Sequence, residues 1–165
     1  MTKLSGKTIW ITGASSGIGE QLSYQLAEMG NRLILSSRRK EELERVKNNC
    51  VQSAQKQIHI LTLDLADLNS LHKAAQSALN IYGSVDVLIN NAGMLVYGEA
   101  ITLEYSTARS ILNLHMTTPA LLCRLFGEKM KENGQGYILN VSSISAVMPY
   151  PTISTEENID DAGLV

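Results

Sequence analysis

The chain has 165 residues, 44% of them apolar, 18% charged and 5% aromatic, with 14 basic against 16 acidic side chains and a formal net charge of −2. That is enough chain to bury one domain's core without staples, and its apolar runs exclude disorder while stopping short of a membrane span. No basic face is left for nucleic acid, Cys50 and Cys123 stand in patterns that suggest neither a disulfide framework nor zinc, and residues 1–6 hold no apolar signal core; a soluble, cytoplasmic protein is expected.

Residues 7–12, KTIWIT, are a β-favouring apolar run ended by glycine, and apolar residues then recur at helical spacing over 18–29 before Gly30. The same reading predicts a second strand over 32–35, a polar amphipathic helix over 39–53, a third strand over 58–63, and a helix over 67–82 capped by Asp67 and closed by Gly83. A fourth strand follows over 85–89. The next helix, over 103–131, carries Ile111, Leu112, Leu114, Leu121, Leu122, Leu125 and Phe126 around most of its circumference, which calls for burial or for packing on another subunit. Asn133, Gly134 and Gly136 end it, and a fifth strand over 137–141 runs into Ser142 and Ser143. Alternation of strand and helix forces right-handed crossovers and a parallel sheet covered on both faces. Beyond it, MPYPTIST has two prolines and no period. Residues 156–165, EENIDDAGLV, hold four acids and no base, so the first 155 residues carry 14 bases against 12 acids. The domain is accordingly placed at 1–155, with 156–165 as an acidic tail.

Between the first strand and its helix lies TGASSGIG, Thr12 to Gly19. In that setting Gly13 lets the chain turn off the strand, Gly17 admits a pyrophosphate close to the backbone, Gly19 lets the helix pack tightly, and the helix N-terminus offers N–H groups to phosphate; Ser15, Ser16 and Ile18 complete the turn. A ligand-free glycine turn is the plainer alternative. About 20 residues past such glycines the chain meets the adenosine ribose. Here it reads Ser36, Ser37, Arg38, Arg39, with no acid to take both ribose hydroxyls and with guanidinium groups suited to a 2′-phosphate, so NADP(H) is the expected cofactor. The RRKEE run also fits a solvated charged face. Asp64, with Leu65 beside it, ends the third strand at the ligand-bearing edge, where Asp64 either hydrogen-bonds adenine or caps the next helix. Asn90, Asn91, Ala92 and Gly93 follow the fourth strand, where two amides can tie the loop to neighbouring strands while Gly93 keeps backbone close to the cofactor. His59, His72 and His115 fall on separate elements with no second ligand at metal spacing, so they read as core or surface residues and no metal site is expected.

Together TGASSGIG, the NNAG of residues 90–93 and the NVSS of residues 140–143 resemble the short-chain dehydrogenase/reductase family, and the resemblance spans about residues 4–155. It implies a Rossmann-type, doubly wound α/β fold of about five parallel strands in the order 3-2-1-4-5, and hydride transfer between NADP(H) and a small carbonyl or alcohol. It also implies that Asn113 holds a water in a proton relay and that Ser143 orients the substrate carbonyl, with Ser142 the weaker candidate. An Asn on a polar strip is the other reading of Asn113; among Ile111, Leu112 and Leu114, a buried amide needs a partner. The resemblance further implies dimerisation through the long helix.

The family's tyrosine, thirteen residues beyond the serine, and its lysine four further on fall at Glu156 and Asp160, and Tyr150 is followed four residues later by Ser154. Two carboxylates there would repel cofactor phosphates and stabilise no phenolate. Only 22 residues follow Ser143, too few for the rest of the family pattern. The expectation is an oxidoreductase by descent with little or no turnover as this isolated chain. Two further readings stand beside it: a non-catalytic NADP-binding or interaction module, and an unstable splice or frameshift fragment.

Overall fold

A computed structural model describes residues 4–96 and 103–143. Five strands, β1 (Thr8–Thr12), β2 (Arg32–Ser37), β3 (Ile58–Thr62), β4 (Val87–Asn90) and β5 (Tyr137–Asn140), form one parallel sheet in the order β3-β2-β1-β4-β5. Between them run helices α1 (Gly17–Glu28), α2 (Lys40–Asn49), α3 (Leu68–Tyr82), α4 (Tyr105–Leu112) and α5 (Thr118–Glu132). This is the doubly wound α/β fold expected. No helix among the described residues is long and apolar enough to cross a membrane.

Strand periodicity builds the layers. In β1, β2 and β4 the odd residues Ile9, Ile11, Leu33, Leu35, Val87 and Ile89 pack with Leu26 and Ala27 of α1 and Leu43 and Val46 of α2. The even residues Trp10, Ile34 and Leu88 pack on the opposite face with Leu71, Ala75 and Ala78 of α3 and Leu122, Phe126 and Met130 of α5. Successive side chains point to opposite faces, so a strand of this kind must be apolar throughout. Asp67 caps α3 by accepting from Asn69 N at 3.1 Å, and Gly83 closes it at φ 80°, as the sequence predicts.

Two helices depart from expectation. Instead of continuing to residue 53, α2 stops at Asn49; Cys50 turns extended, and Gln55 Nε2 donates to the freed carbonyls of Asn48 and Cys50. Instead of one helix over 103–131, the chain forms α4 and α5 joined by a π-helical segment, Asn113–Thr117. Pro119 is the physical reason: it has no N–H to return to residue 115, and its ring crowds that carbonyl, so the helix widens and restarts with proline in its first turn. Of the long helix's apolar set, Ile111, Leu122 and Phe126 are buried, Leu114, Leu121 and Leu125 half-buried and Leu112 exposed. β5 lies at the sheet edge, where Tyr137 and Leu139 are 58% and 49% exposed.

Candidate functional site

Strands β1 and β4 are neighbours whose helices leave on opposite faces, and a crevice opens at their carboxyl ends. One hydroxyl stitches them together. Thr12 Oγ1 donates to Ile89 O at 3.1 Å and accepts from Asn91 N at 2.9 Å and Ala92 N at 3.1 Å. Thr12 is buried, so this member of the expected cofactor set shapes the crevice from behind. The two amides tie the loop as the sequence suggests: Asn91 Nδ2 donates to Thr12 O and Gly13 O, and Asn90 Nδ2 donates to Asn140 Oδ1 at 2.8 Å, across the paired ends of β4 and β5. Asn90 Oδ1 is buried with no hydrogen-bond partner among the described residues.

The glycines differ in what they face. A Cβ on Gly19 would stand 2.4 Å from Gly13 O and 2.6 Å from Asn91 Nδ2, so this residue packs on the β1 turn and the NNAG loop rather than on a strand. Gly17 has φ +56° and nothing within 4 Å of a built Cβ, which leaves open space at the start of α1. Ser16, at its N-cap, makes no side-chain cap bond, so the first N–H groups of α1 have no such acceptor. Open space beside free N–H groups fits a diphosphate.

The crevice divides into two clefts that share Ile18, Asn91, Ala92 and Gly93. The first, of about 570 Å³, is walled by Gly13, Ser15 and Ser16, by Ser37, Arg38 and Arg39 after β2, by Asp64 and Leu65 after β3, and by Ser106, Thr107 and Ser110 of α4. Arg39 Nη2 donates to Ser15 Oγ and Ser16 Oγ, each at 3.0 Å, while Arg38 is exposed and makes no hydrogen bond or ion pair with other described residues. Asp64 Oδ1 accepts from Ala66 N at 3.0 Å, a turn-forming bond, and α3 is capped by Asp67 instead.

The second cleft, of about 490 Å³, is walled by Asn90, His115, Pro119, Cys123, Asn140, Ser142 and Ser143. Burial pushes the Cys123 thiol above its usual range, so it stays neutral. Asn113 lies in the π-helical segment with its Nδ2 donating to Ala66 O at 3.1 Å; its amide has the partner burial demands and lines neither cleft. Two turns of helix thus pin both loops: Thr118 Oγ1 donates to Leu65 O, and His115 Nε2 accepts from Met94 N at 3.0 Å. His115, which the sequence assigns to core or surface, is therefore a wall residue of the crevice. Its signal was the proline four residues on, which re-aims this stretch of helix. Asn140 was legible too, since VLIN and YILN end two neighbouring strands alike. Glu156, Asp160, Tyr150 and the tail 156–165 lie outside the described residues. Among the described residues no group of His, Cys, Asp and Glu is placed to hold a metal.

Comparison with known proteins agrees with this geometry. The family model for short chain dehydrogenase matches residues 7–155. Dehydrogenase/reductase SDR family member 7 of Homo sapiens is 38% identical over 152 residues, covering 90% of this chain and 45% of that protein. The chain spans about half the length of the curated relatives it matches. Among solved structures, a metagenomic short-chain oxidoreductase in complex with NADP superposes with a TM-score of 0.86 at 28% identity over 99% of this chain and 73% of that one. The 3-ketoacyl-(acyl-carrier-protein) reductase of Brucella melitensis complexed with NADH gives 0.83 at 28% identity over 96% and 66%. The chain belongs to the short-chain dehydrogenase family.

Proposed function

We propose that this chain takes up NADP(H) in the crevice and, on its own, transfers little or no hydride. The observation that carries the cofactor reading is the cluster at the end of β2: Ser37, exposed Arg38, and Arg39 resting on Ser15 and Ser16, with no carboxylate where a ribose diol would need one. A dianionic 2′-phosphate matches two guanidinium groups and two hydroxyls far better than a neutral hydroxyl does. The diphosphate belongs at Gly17 and the N–H groups of α1, and Asp64 with Leu65 borders the adenine end. Asn113 and Ser143 keep the roles that the family resemblance gives them.

When bound, the nicotinamide supplies hydride chemistry, and the substrate class is a small carbonyl or alcohol compound. The second cleft, with Ser143 on its wall, is where that substrate belongs. Hydride transfer also needs a proton donor, and a phenol with a cation beside it is replaced at positions 156 and 160 by two acids. Titration of NADPH and NADH against the chain and against Arg38→Ala tests the binding half: NADPH is expected to bind at least about tenfold tighter, a preference Arg38→Ala reduces. Absence of NADPH oxidation with small carbonyl compounds tests the other half, and turnover would overturn it. Pairing of two copies through α4 and α5 is supported by exposed Leu112 and is tested by sedimentation.

A further inference from the structure

Besides Arg39, which precedes α2, an arginine within α2 reaches back to the turn after β1. Arg45 Nη1 and Nη2 donate to the two oxygens of Glu20 at 2.8 and 2.9 Å, its Nε donates to Glu42 Oε2 at 2.7 Å, and Nη2 also reaches Ser15 O at 3.4 Å. Ser15 is buried and its hydroxyl accepts from Arg39. One residue is thereby held from both ends by two guanidinium groups, Arg45 on the carbonyl and Arg39 on the hydroxyl, both carried by the same short stretch of chain. Glu20 lies in the first turn of α1, where an uncompensated carboxylate would repel a bound phosphate. The forked pair with Arg45 compensates it, and hydrogen bonds from Arg45 and then Tyr24 hold the Glu20 carboxyl at about 2 against an ordinary 4.5.

We infer that Arg45 is a positioning residue for NADP(H) specificity: remote from the bound phosphate, it fixes Ser15 and so the place from which Arg39 meets the 2′-phosphate. This rests on the NADP(H) reading above. The role requires a guanidinium, because a fork on one carboxylate, a bond to a second and a reach to a carbonyl use donors in fixed planar array, which a single ammonium does not offer.

The test is the dissociation constant of the full chain for NADPH and for NADH, measured for the parent, Arg45→Gln, Arg45→Lys and Glu20→Gln, with thermal melting alongside. Both Arg45 variants are expected to lose roughly tenfold on NADPH and less than about threefold on NADH, without rescue by lysine. Glu20→Gln should shift the ratio the same way by less, and should add little to Arg45→Gln, since both break one linkage. A brace that serves stability alone would lower melting and weaken both nucleotides by one factor, and that outcome overturns the inference. Should Arg45→Gln fail to fold, Glu20→Gln decides by the same ratio. A parent without NADPH preference sinks the cofactor reading and this inference with it; a parent with the preference and variants that keep it sinks this inference alone.

Discussion

The two clefts of the crevice are built to different standards. On the β1–β2 side much of the wall is fixed by side chains that bond backbone or each other: Thr12 on the NNAG loop, Asn91 on the β1 turn, Arg39 and Arg45 on Ser15. On the β5 side Asn90 Oδ1 lacks a partner among the described residues, and the edge strand shows Tyr137 and Leu139 to solvent. A binding surface needs pre-set donors to meet a charged ligand, whereas a reaction site is complete only with its proton donor. Under the function proposed above, the first requirement falls mainly to residues before Gly93 and the second to positions 156 and 160.

Both sides rest on one sheet, and removing its largest fully buried side chain should have the largest effect. Trp10 Nε1 donates to Ser36 Oγ of β2 at 2.7 Å, while its ring meets Phe126 of α5 edge-on at 5.2 Å. Trp10→Ala should cost about 3–5 kcal/mol and dissolve the distinction by loosening both sides, read as loss of the chemical-denaturation plateau. Gly19→Ala comes next. Its methyl would strike backbone at Gly13 and the Asn91 amide, so binding of dinucleotide should fall below detection in titration, with stability lowered by about 1–3 kcal/mol. If Gly19→Ala binds normally, the crevice is not where the nucleotide goes.

Thr12→Val keeps shape and removes the hydroxyl that accepts from two backbone N–H groups. A cost of about 1–3 kcal/mol is expected, together with faster hydrogen exchange at Asn91 and Ala92 and unchanged exchange in α3. Uniform acceleration across the sheet would mean that the stitch is global rather than local.

Much of this was open to reading in one dimension. The parallel sheet covered on both faces follows from the alternation of elements and their right-handed crossovers, the strand order from the family resemblance, the caps at Asp67 and Gly83 from residue type, and the TGASSGIG turn from its setting between strand and helix. What stayed hidden depends on angle around a helix rather than on spacing along it. Pro119 announces a fault in the long helix, but only the π-helical segment shows His115 swung onto Met94 and Asn113 onto Ala66. Arg45 likewise reads as one more charge on a polar helix until α1 and α2 are packed side by side.

The smallest predicted effect concerns that surface brace and its dependence on pH. Glu20 is held at about 2 against 4.5, first by the hydrogen bond from Arg45, so the folded state binds its proton more weakly than the unfolded chain does. A lowered carboxyl stabilises the fold above the ordinary value, and that contribution is lost as pH falls from about 4.5 toward 2. Arg45 is 42% exposed, so solvent screens the pair and the benefit near neutral pH should be at most about 3 °C in melting temperature, shrinking with added salt. Glu20→Gln should melt below the parent by that small amount at pH 7, and the gap should close across the acid window. A gap that persists at pH 2 would place the stabilisation in packing of the Glu20 stem against Tyr24, and would leave the phosphate turn without the charge linkage that distinguishes it from the β5 side.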